Sequence, residues 1–412
     1  MNSSKYWLLS ILLLFAFHLQ AAESTRKEIA IHIGSEQTLT SDLLQHDLKL
    51  KVYLPADYAE QETRYPVLYV LDGQWHFTAA VGIQKSLRVP DILPEMIVVG
   101  IESPEPIRRT WFGPQSELLQ QALKQELIPF IESSYRTNDE RVLFGWETGA
   151  FFATFSLFEA DTPFSGVIAS NGGELYHDAV PEALSAAKYL YLVNSDRDIF
   201  TVKYSDQFAQ VLTASTPKNL TWRYEKFNQE THESLPYLAL YEGLKFYYHN
   251  YKYLAFRSID EYVSLGGMPY LQRYFKARGE RFGMPTGISD STKNNLIWLA
   301  WNRDNFEYFK RFMHSFSDVL TTARYDSAYW QNRFGRFYLK HGDFNVAKTY
   351  FEKAIAKYPQ QVILHEGMSE VLLAMGEYEE AKEQLLKAIA IAKESSDPGL
   401  ARLEKAMSEF EN

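Results

Sequence analysis

The chain contains no cysteine. That excludes a disulfide framework and a lipid-modified cysteine anchor, so an exported form has to be held together by its core. A surplus of positive charge is also missing. Lys and Arg number 42 against 52 Asp and Glu, a net charge of -10, which argues against nucleic acid as a partner. No H-E-x-x-H motif occurs, and His76, His177 and His249 lack metal-ligand spacing. They read as packing or surface histidines, and neither metal nor cofactor is expected.

What the chain does have is apolar bulk. Its 412 residues are 46% hydrophobic and 15% aromatic, enough to bury two cores. The N-terminus carries one charge, Lys5, ahead of an apolar run over 7–17, then the small pair Ala21-Ala22. This predicts a signal peptide over 1–22, cleaved to leave a periplasmic or secreted protein with no membrane span. The run is short for a span; an uncleaved anchor is the alternative.

Hydrophobic periodicity then divides the chain. Residues 27–33 and 47–54 alternate polar and apolar side chains, as antiparallel strands with one wet face do. Residues 65–71 (Y-P-V-L-Y-V-L) and 96–101 are unbroken apolar runs, the mark of strands covered on both faces. The first ends in Asp72-Gly73-Gln74, read as a loop. Residues 115–134 have helical spacing. A strand over 141–146 precedes a helix over 150–158. Further strands are predicted over 166–170, 189–193 and 220–227, and a closing helix over 237–247. Strands alternating with helices imply a mostly parallel sheet with helices on both faces, with its site at the C-terminal strand ends.

Beyond residue 252 the strand patterns stop. Residues 259–278 and 294–316 read as helices, the second as one that docks a following array. Then Gly342-Asp343-Phe344 recurs as Gly376-Glu377-Tyr378, Ala347 as Ala381 and Ala354 as Ala388, each 34 residues on. That is the tetratricopeptide period, and Gly335, Tyr338, Phe351 and Pro359 fit its other positions. The predicted organisation is a signal peptide (1–22), an α/β domain (23–252), a helical linker or degenerate repeat (253–325), two repeats (326–396) and a C-terminal helix (397–412). The repeats would offer a groove to a protein or peptide.

The chemistry turns on Gly145-Trp146-Glu147-Thr148-Gly149. It follows a buried strand and opens a helix, the setting of the G-x-S-x-G nucleophile elbow, but glutamate holds the serine's place. An acid and a histidine should follow in that order. Asp196 or Asp198 follows the strand over 189–193, and His232 follows the strand over 220–227.

These blocks resemble the esterase D branch of α/β-hydrolases, which includes the enterobactin and salmochelin esterases. Y-P-V-L-Y-V-L-D-G-Q (65–74), M-I-V-V-G-I (96–101), E-L-I-P-F-I-E-S-S-Y-R-T (126–137) and E-T-H-E-S-L-P-Y-L-A-L-Y-E-G-L-K-F (230–246) carry the resemblance. It implies an α/β-hydrolase fold, His232 at the histidine position and Asp196, with Asp198 as the alternative, at the acid position. It also implies oxyanion donors on the backbone of Thr148 and of Gly73 or Gln74; a small-molecule ester or siderophore-like ligand is a candidate partner, but the resemblance does not carry the substrate over. The departures sit together. G-H-S-x-G-G has become G-W-E-T-G-A, an R-x-R-D block has become Pro106-Ile107-Arg108-Arg109, and S-P-S-x-W-W has become Ser170-Asn171-Gly172-Gly173-Glu174.

A carboxylate opposite His232 is expected to ion-pair with it, favouring imidazolium over the neutral base that acyl transfer needs. It also reaches far enough to fill the oxyanion hole. Both effects predict a pseudo-hydrolase that binds a ligand or a protein. Glu147 as nucleophile or general base is the alternative, as carboxylates act in other hydrolases; Ser234 as a relocated nucleophile is a third. Arg108 is a candidate ligand for a carboxylate, phosphate or catecholate, with a surface ion pair as the plainer role, and Trp146 a candidate substrate contact.

Overall fold

The computed structural model describes residues 32–89, 91–174 and 180–410. The signal-peptide reading and most of the strand expected over 27–33 lie outside them. The described chain forms two compact units, one ending at Tyr247 and the other running from Tyr248, with residues 91–93 grouped with the second.

The first unit is built on an eight-stranded sheet of order β1-β2-β4-β3-β5-β6-β7-β8. Its strands are β1 (Ser35–Ser41), β2 (His46–Tyr53), β3 (Tyr65–Leu71), β4 (Ile97–Ile101), β5 (Thr137–Trp146), β6 (Gly166–Ser170), β7 (Ala183–Asn194) and β8 (Lys218–Lys226). β1 and β2 pair antiparallel and β2 joins β4 antiparallel; from β4 to β8 every pairing is parallel. Every residue of β3 and β4 is buried, as their unbroken apolar runs require, and β6 is buried throughout as well. β2 has a wet edge and alternates.

Two expectations are corrected here. Asp72-Gly73-Gln74 is no loop: Asp72 takes a left-handed conformation (φ 55, ψ 45) and Gly73 starts the helix α1 (Gly73–Arg88). The turn chemistry of Asp-Gly hid that helix. The segment after β4 also holds a short helix, α2 (Ile107–Trp111). The helix expected over 115–134 runs as α3 (Ser116–Ala122), a π-helical turn (Leu123–Leu127) and α4 (Ile128–Ser134). α5 (Thr148–Phe158), α6 (Val202–Ala214) and α7 (Leu235–Tyr247) complete this unit.

The second unit is all helix among its described residues. Residues 259–278, read as one helix, break at Gly266 (φ 106) into α8 (Ile259–Ser264) and α9 (Gly267–Phe282). Residues 294–316 are likewise two helices, α10 (Asp290–Asn302) and α11 (Phe306–Ser315). The repeats follow as α12 (Ala328–Lys340) with α13 (Phe344–Lys357), and α14 (Val362–Met375) with α15 (Tyr378–Ser395); α16 (Leu400–Glu409) ends the unit.

The three hairpins share one turn. Asp304, Gly342 and Gly376 all have positive φ (56, 76 and 82). The next residue's N–H reaches back to Ala300, Tyr338 and Leu372 in turn, at 2.8, 3.0 and 2.9 Å. An aromatic residue then opens each second helix: Phe306, Phe344 and Tyr378. The α10–α11 pair thus shares the turn geometry of the repeat hairpins. Its signal is faint because Asp replaces Gly at the turn and Phe309 stands where the other hairpins have Ala347 and Ala381. In the first repeat, Phe351 wedges between α12 and α14. A Cβ on Gly335 would come within 2.6 Å of its ring, and the Cβ direction of Gly367 is closed by the same ring.

Candidate functional site

β5 ends at Trp146 and α5 starts at Thr148, so Glu147 alone turns the chain. Its backbone sits at φ 54, ψ -119, a conformation that costs a non-glycine residue about 1–3 kcal/mol. The turn is tight: a Cβ on Gly145 would lie 2.1 Å from the carbonyl oxygen of Gly149. The Glu147 N–H donates to the Ser170 carbonyl at 3.0 Å, and its carbonyl accepts from Ala150 at 2.9 Å, tying β5, β6 and α5 at one point. This is elbow geometry, with a carboxylate at its tip.

That carboxylate is not opposite the histidine alone, as expected. Arg108 on α2 donates from Nη1 to Glu147 Oε2 at 2.7 Å. Its Nε and Nη2 fork onto Asp72 Oδ1 and Oδ2 at 2.9 and 3.0 Å, and Nη2 also reaches the Trp146 carbonyl at 3.2 Å. Asp72 at the end of β3 is fully buried, and Ser103 Oγ donates to it at 2.8 Å. The rings of Trp75, Phe112 and Trp146 surround the guanidinium at 5.5–5.6 Å. The surface ion pair foreseen for Arg108 is therefore a buried one; it is Arg109 that sits exposed, 3.4 Å from Glu105.

Charge balance follows from this packing. Burial pushes the Asp72 carboxyl up, and the Arg108 fork opposes that. Burial also disfavours charge on Arg108, but Asp72 and then Glu147 outweigh it and raise its value. Burial raises Glu147 too, yet the Thr148 N–H, Arg108 and the Thr148 hydroxyl, which donates at 2.9 Å, hold its carboxyl below the usual range. The carboxylate is thus drawn towards the N–H that an oxyanion would use. The other oxyanion candidates, Gly73 and Gln74, open α1, where N–H groups have no intrahelical acceptor. The Gln74 side chain is fixed to the backbone of Ser103, with both contacts at 3.0 Å.

The histidine follows β8, further along the sheet. His232 Nδ1 pairs with Asp198 Oδ2 at 2.9 Å. Asp198 is 1% exposed and also accepts from Asn171 Nδ2 at 2.8 Å, Thr201 Oγ1 at 2.5 Å and the backbone of Phe200 and Thr201. Burial raises its carboxyl; Thr201, Asn171 and His232 together bring it below the ordinary value. Asp196, preferred from the sequence, faces away and takes Lys226 Nζ at 2.8 Å. Both aspartates lie on one strand-end loop. Asn171 and Thr201, which had no assigned role, were the discriminating signal, since they converge on Asp198. Among the described residues no ion pair joins Glu147 to His232.

Trp146 contacts the histidine rather than open space. Its indole Nε1 donates to the His232 carbonyl at 3.1 Å, and the two rings lie 4.9 Å apart. His76 on α1 forms the wall beneath, 5.5 Å from the Trp146 ring. Burial and then Arg108 push its imidazole down to about 4. Trp75 and Phe200, 50% and 71% exposed, stand at the rim beside Trp146 and His232 respectively.

Comparison with known proteins agrees with this architecture. Residues 41–173 match the family model described as "Putative esterase", and 338–407 match the tetratricopeptide repeat model. An uncharacterized protein of Bacillus subtilis (strain 168), YbbA, is 25% identical over 152 residues; the match covers 33% of this chain and 60% of that protein. An IroE-like serine hydrolase from Shewanella oneidensis superposes with a TM-score of 0.50 at 22% identity, over 68% of this chain and 98% of that one. An uncharacterised protein from Capnocytophaga ochracea does so with a TM-score of 0.54 at 15% identity, over 92% and 99%. At such identities the two structures speak for the fold. The chain is thus similar to the esterase family over 41–173, on a mostly parallel α/β sheet, and to tetratricopeptide repeats over 338–407.

Proposed function

We propose that the esterase-like domain is a pseudo-hydrolase: it has given up serine acyl transfer and serves as a binding module for a small ester-like ligand. One observation carries the reading. The side chain at the nucleophile position is an anion already bonded to Arg108, which the buried Asp72 holds in place. A carboxylate stabilised by a guanidinium, a hydroxyl and an N–H is a weak nucleophile, and it occupies the approach of a substrate oxyanion. Trp75, Trp146 and Phe200 supply ring surface for an apolar or aromatic ligand. In this reading the helical repeats serve a protein partner, and the N-terminal sequence pattern over 1–22 supports a periplasmic or secreted protein.

The test is labelling with a fluorophosphonate probe. Wild type is expected to remain unlabelled, while Glu147→Ser gains labelling that His232→Ala removes in the double variant. Labelling of wild type would sink the reading.

A second reading has its own observation. The Asp198–His232 pair keeps the bonds a working histidine needs, which favours an active hydrolase with Glu147 as nucleophile or general base. Turnover in water enriched in oxygen-18 separates the two. A nucleophilic Glu147 would acquire the label in its carboxylate, and the pseudo-hydrolase would not.

A further inference from the structure

The second unit holds a cavity of about 860 Å³ with an unusual lining. Its walls include Trp298, Trp301 and Trp330 together with Arg324, Arg333 and Lys340. The cavity lies at the α10–α11 hairpin and the helix that follows it, almost wholly ahead of the segment that matches the repeat model.

Its charges are unevenly matched. Lys340 pairs with Asp304 at 2.6 Å, and Arg336 is engaged by Glu370 and Glu366. Arg333 and Arg324 meet no carboxylate among the described residues. The Arg333 guanidinium lies 4.1 Å above the Trp301 ring and 5.1 Å from Trp330, with Tyr329 Oη bonded to Nη1. Arg324 lies over Tyr325 at 5.5 Å. Two guanidinium forks thus stand without counter-ions on a protein of net charge -10. Stacking on indole holds the Arg333 fork in one orientation, and the N–H groups not bonded to Tyr329 are left to receive a carboxylate. Trp298, 45% exposed, adds apolar surface beside them.

We infer that this cavity is the docking site for an acidic segment of a partner protein, one that alternates carboxylates with large apolar side chains. The chemistry selects this occupant. Arginines without counter-ions attract anions, and the exposed indole of Trp298 rewards apolar side chains, which a small inorganic anion lacks. The overall negative charge disfavours a nucleic acid. The inference rests on the proposal that the helical region binds a protein, and it names the place and the partner's character.

The test uses the full chain and a fluorescein-labelled peptide alternating glutamate with leucine, beside its glutamine counterpart, read by fluorescence anisotropy. The acidic peptide is expected to bind at least about tenfold more tightly than the neutral one, and to weaken as salt rises. Arg333→Gln combined with Arg324→Gln should weaken it by about tenfold or more, with an unchanged melting temperature. Glu147→Gln should leave it unaltered, which separates this site from the one around Glu147. Equal binding of the two peptides, or no effect of the arginine pair on affinity, would overturn the inference. So would displacement by inorganic phosphate or an RNA oligonucleotide as effective as unlabelled acidic peptide. If other peptides bind the helical region and ignore both arginines, the repeats keep a partner and this cavity loses its role.

Discussion

The two banks of the candidate site differ in kind. On the β7–β8 side, Asp198 and His232 make the hydrogen bonds of a working acid–histidine pair, with Asn171 and Thr201 fixing the acid. On the β3–β5 side, three charged groups satisfy one another: Asp72, Arg108 and Glu147. A carboxylate placed at a strained elbow needs a counter-ion nearby, and Arg108 supplies one from α2. The contrast teaches that a single residue does not describe the change. Glu147 sits in an electrostatic setting of its own, with Arg108 and Asp72, apart from the Asp198–His232 pair.

The sharpest way to break this comparison is at Arg108. Arg108→Ala strands the buried Asp72 carboxylate, and loss of one partner from a buried pair costs about 3–5 kcal/mol. Urea unfolding should show that loss in the transition of the first unit; a change below 1 kcal/mol would mean that Asp72 is neutral and the triad is not an ion-pair network. The opposite bank should respond less. Asp198→Ala leaves the donors of Asn171, Thr201 and His232 without an acceptor, at about 2–3 kcal/mol by the same measurement. An equal or larger loss there would erase the proposed difference between the banks.

The smallest effect concerns pH. The folded state depresses the Glu147 carboxyl, so its contribution is present above the unfolded value near 4.5 and is lost as pH falls through the lower folded value. With the side chain 30% exposed, the contribution is about 1 kcal/mol. Unfolding curves of wild type and Glu147→Gln, taken from pH 7 downwards, should therefore differ by that amount at neutral pH and converge in acid. A gap that widens as pH falls would reverse the assigned direction.

Much of this architecture was legible from apolar runs alone. β3 and β4 fall on their continuous apolar stretches because strands buried on both faces favour apolar residues throughout. The repeats were legible because a 34-residue recurrence of small and aromatic side chains reports packing directly. α1 was not, since Asp72-Gly73 reads as a turn and the left-handed Asp72 is in fact the corner from which a helix starts. Choosing between Asp196 and Asp198 needed the third dimension: two residues apart on a loop, one points at Lys226 and the other at His232. The Arg108 contacts were hidden for the same reason, because β3, α2 and β5 meet only through the crossovers of the sheet.

The account rests on Glu147 being a held anion rather than an attacking group, and ester turnover tests that most directly. Hydrolysis of a p-nitrophenyl ester would be followed for wild type, Glu147→Ser and His232→Ala side by side. The account predicts that wild type and His232→Ala match the uncatalysed rate and that only Glu147→Ser rises above it. Wild-type turnover that His232→Ala abolishes would contradict it.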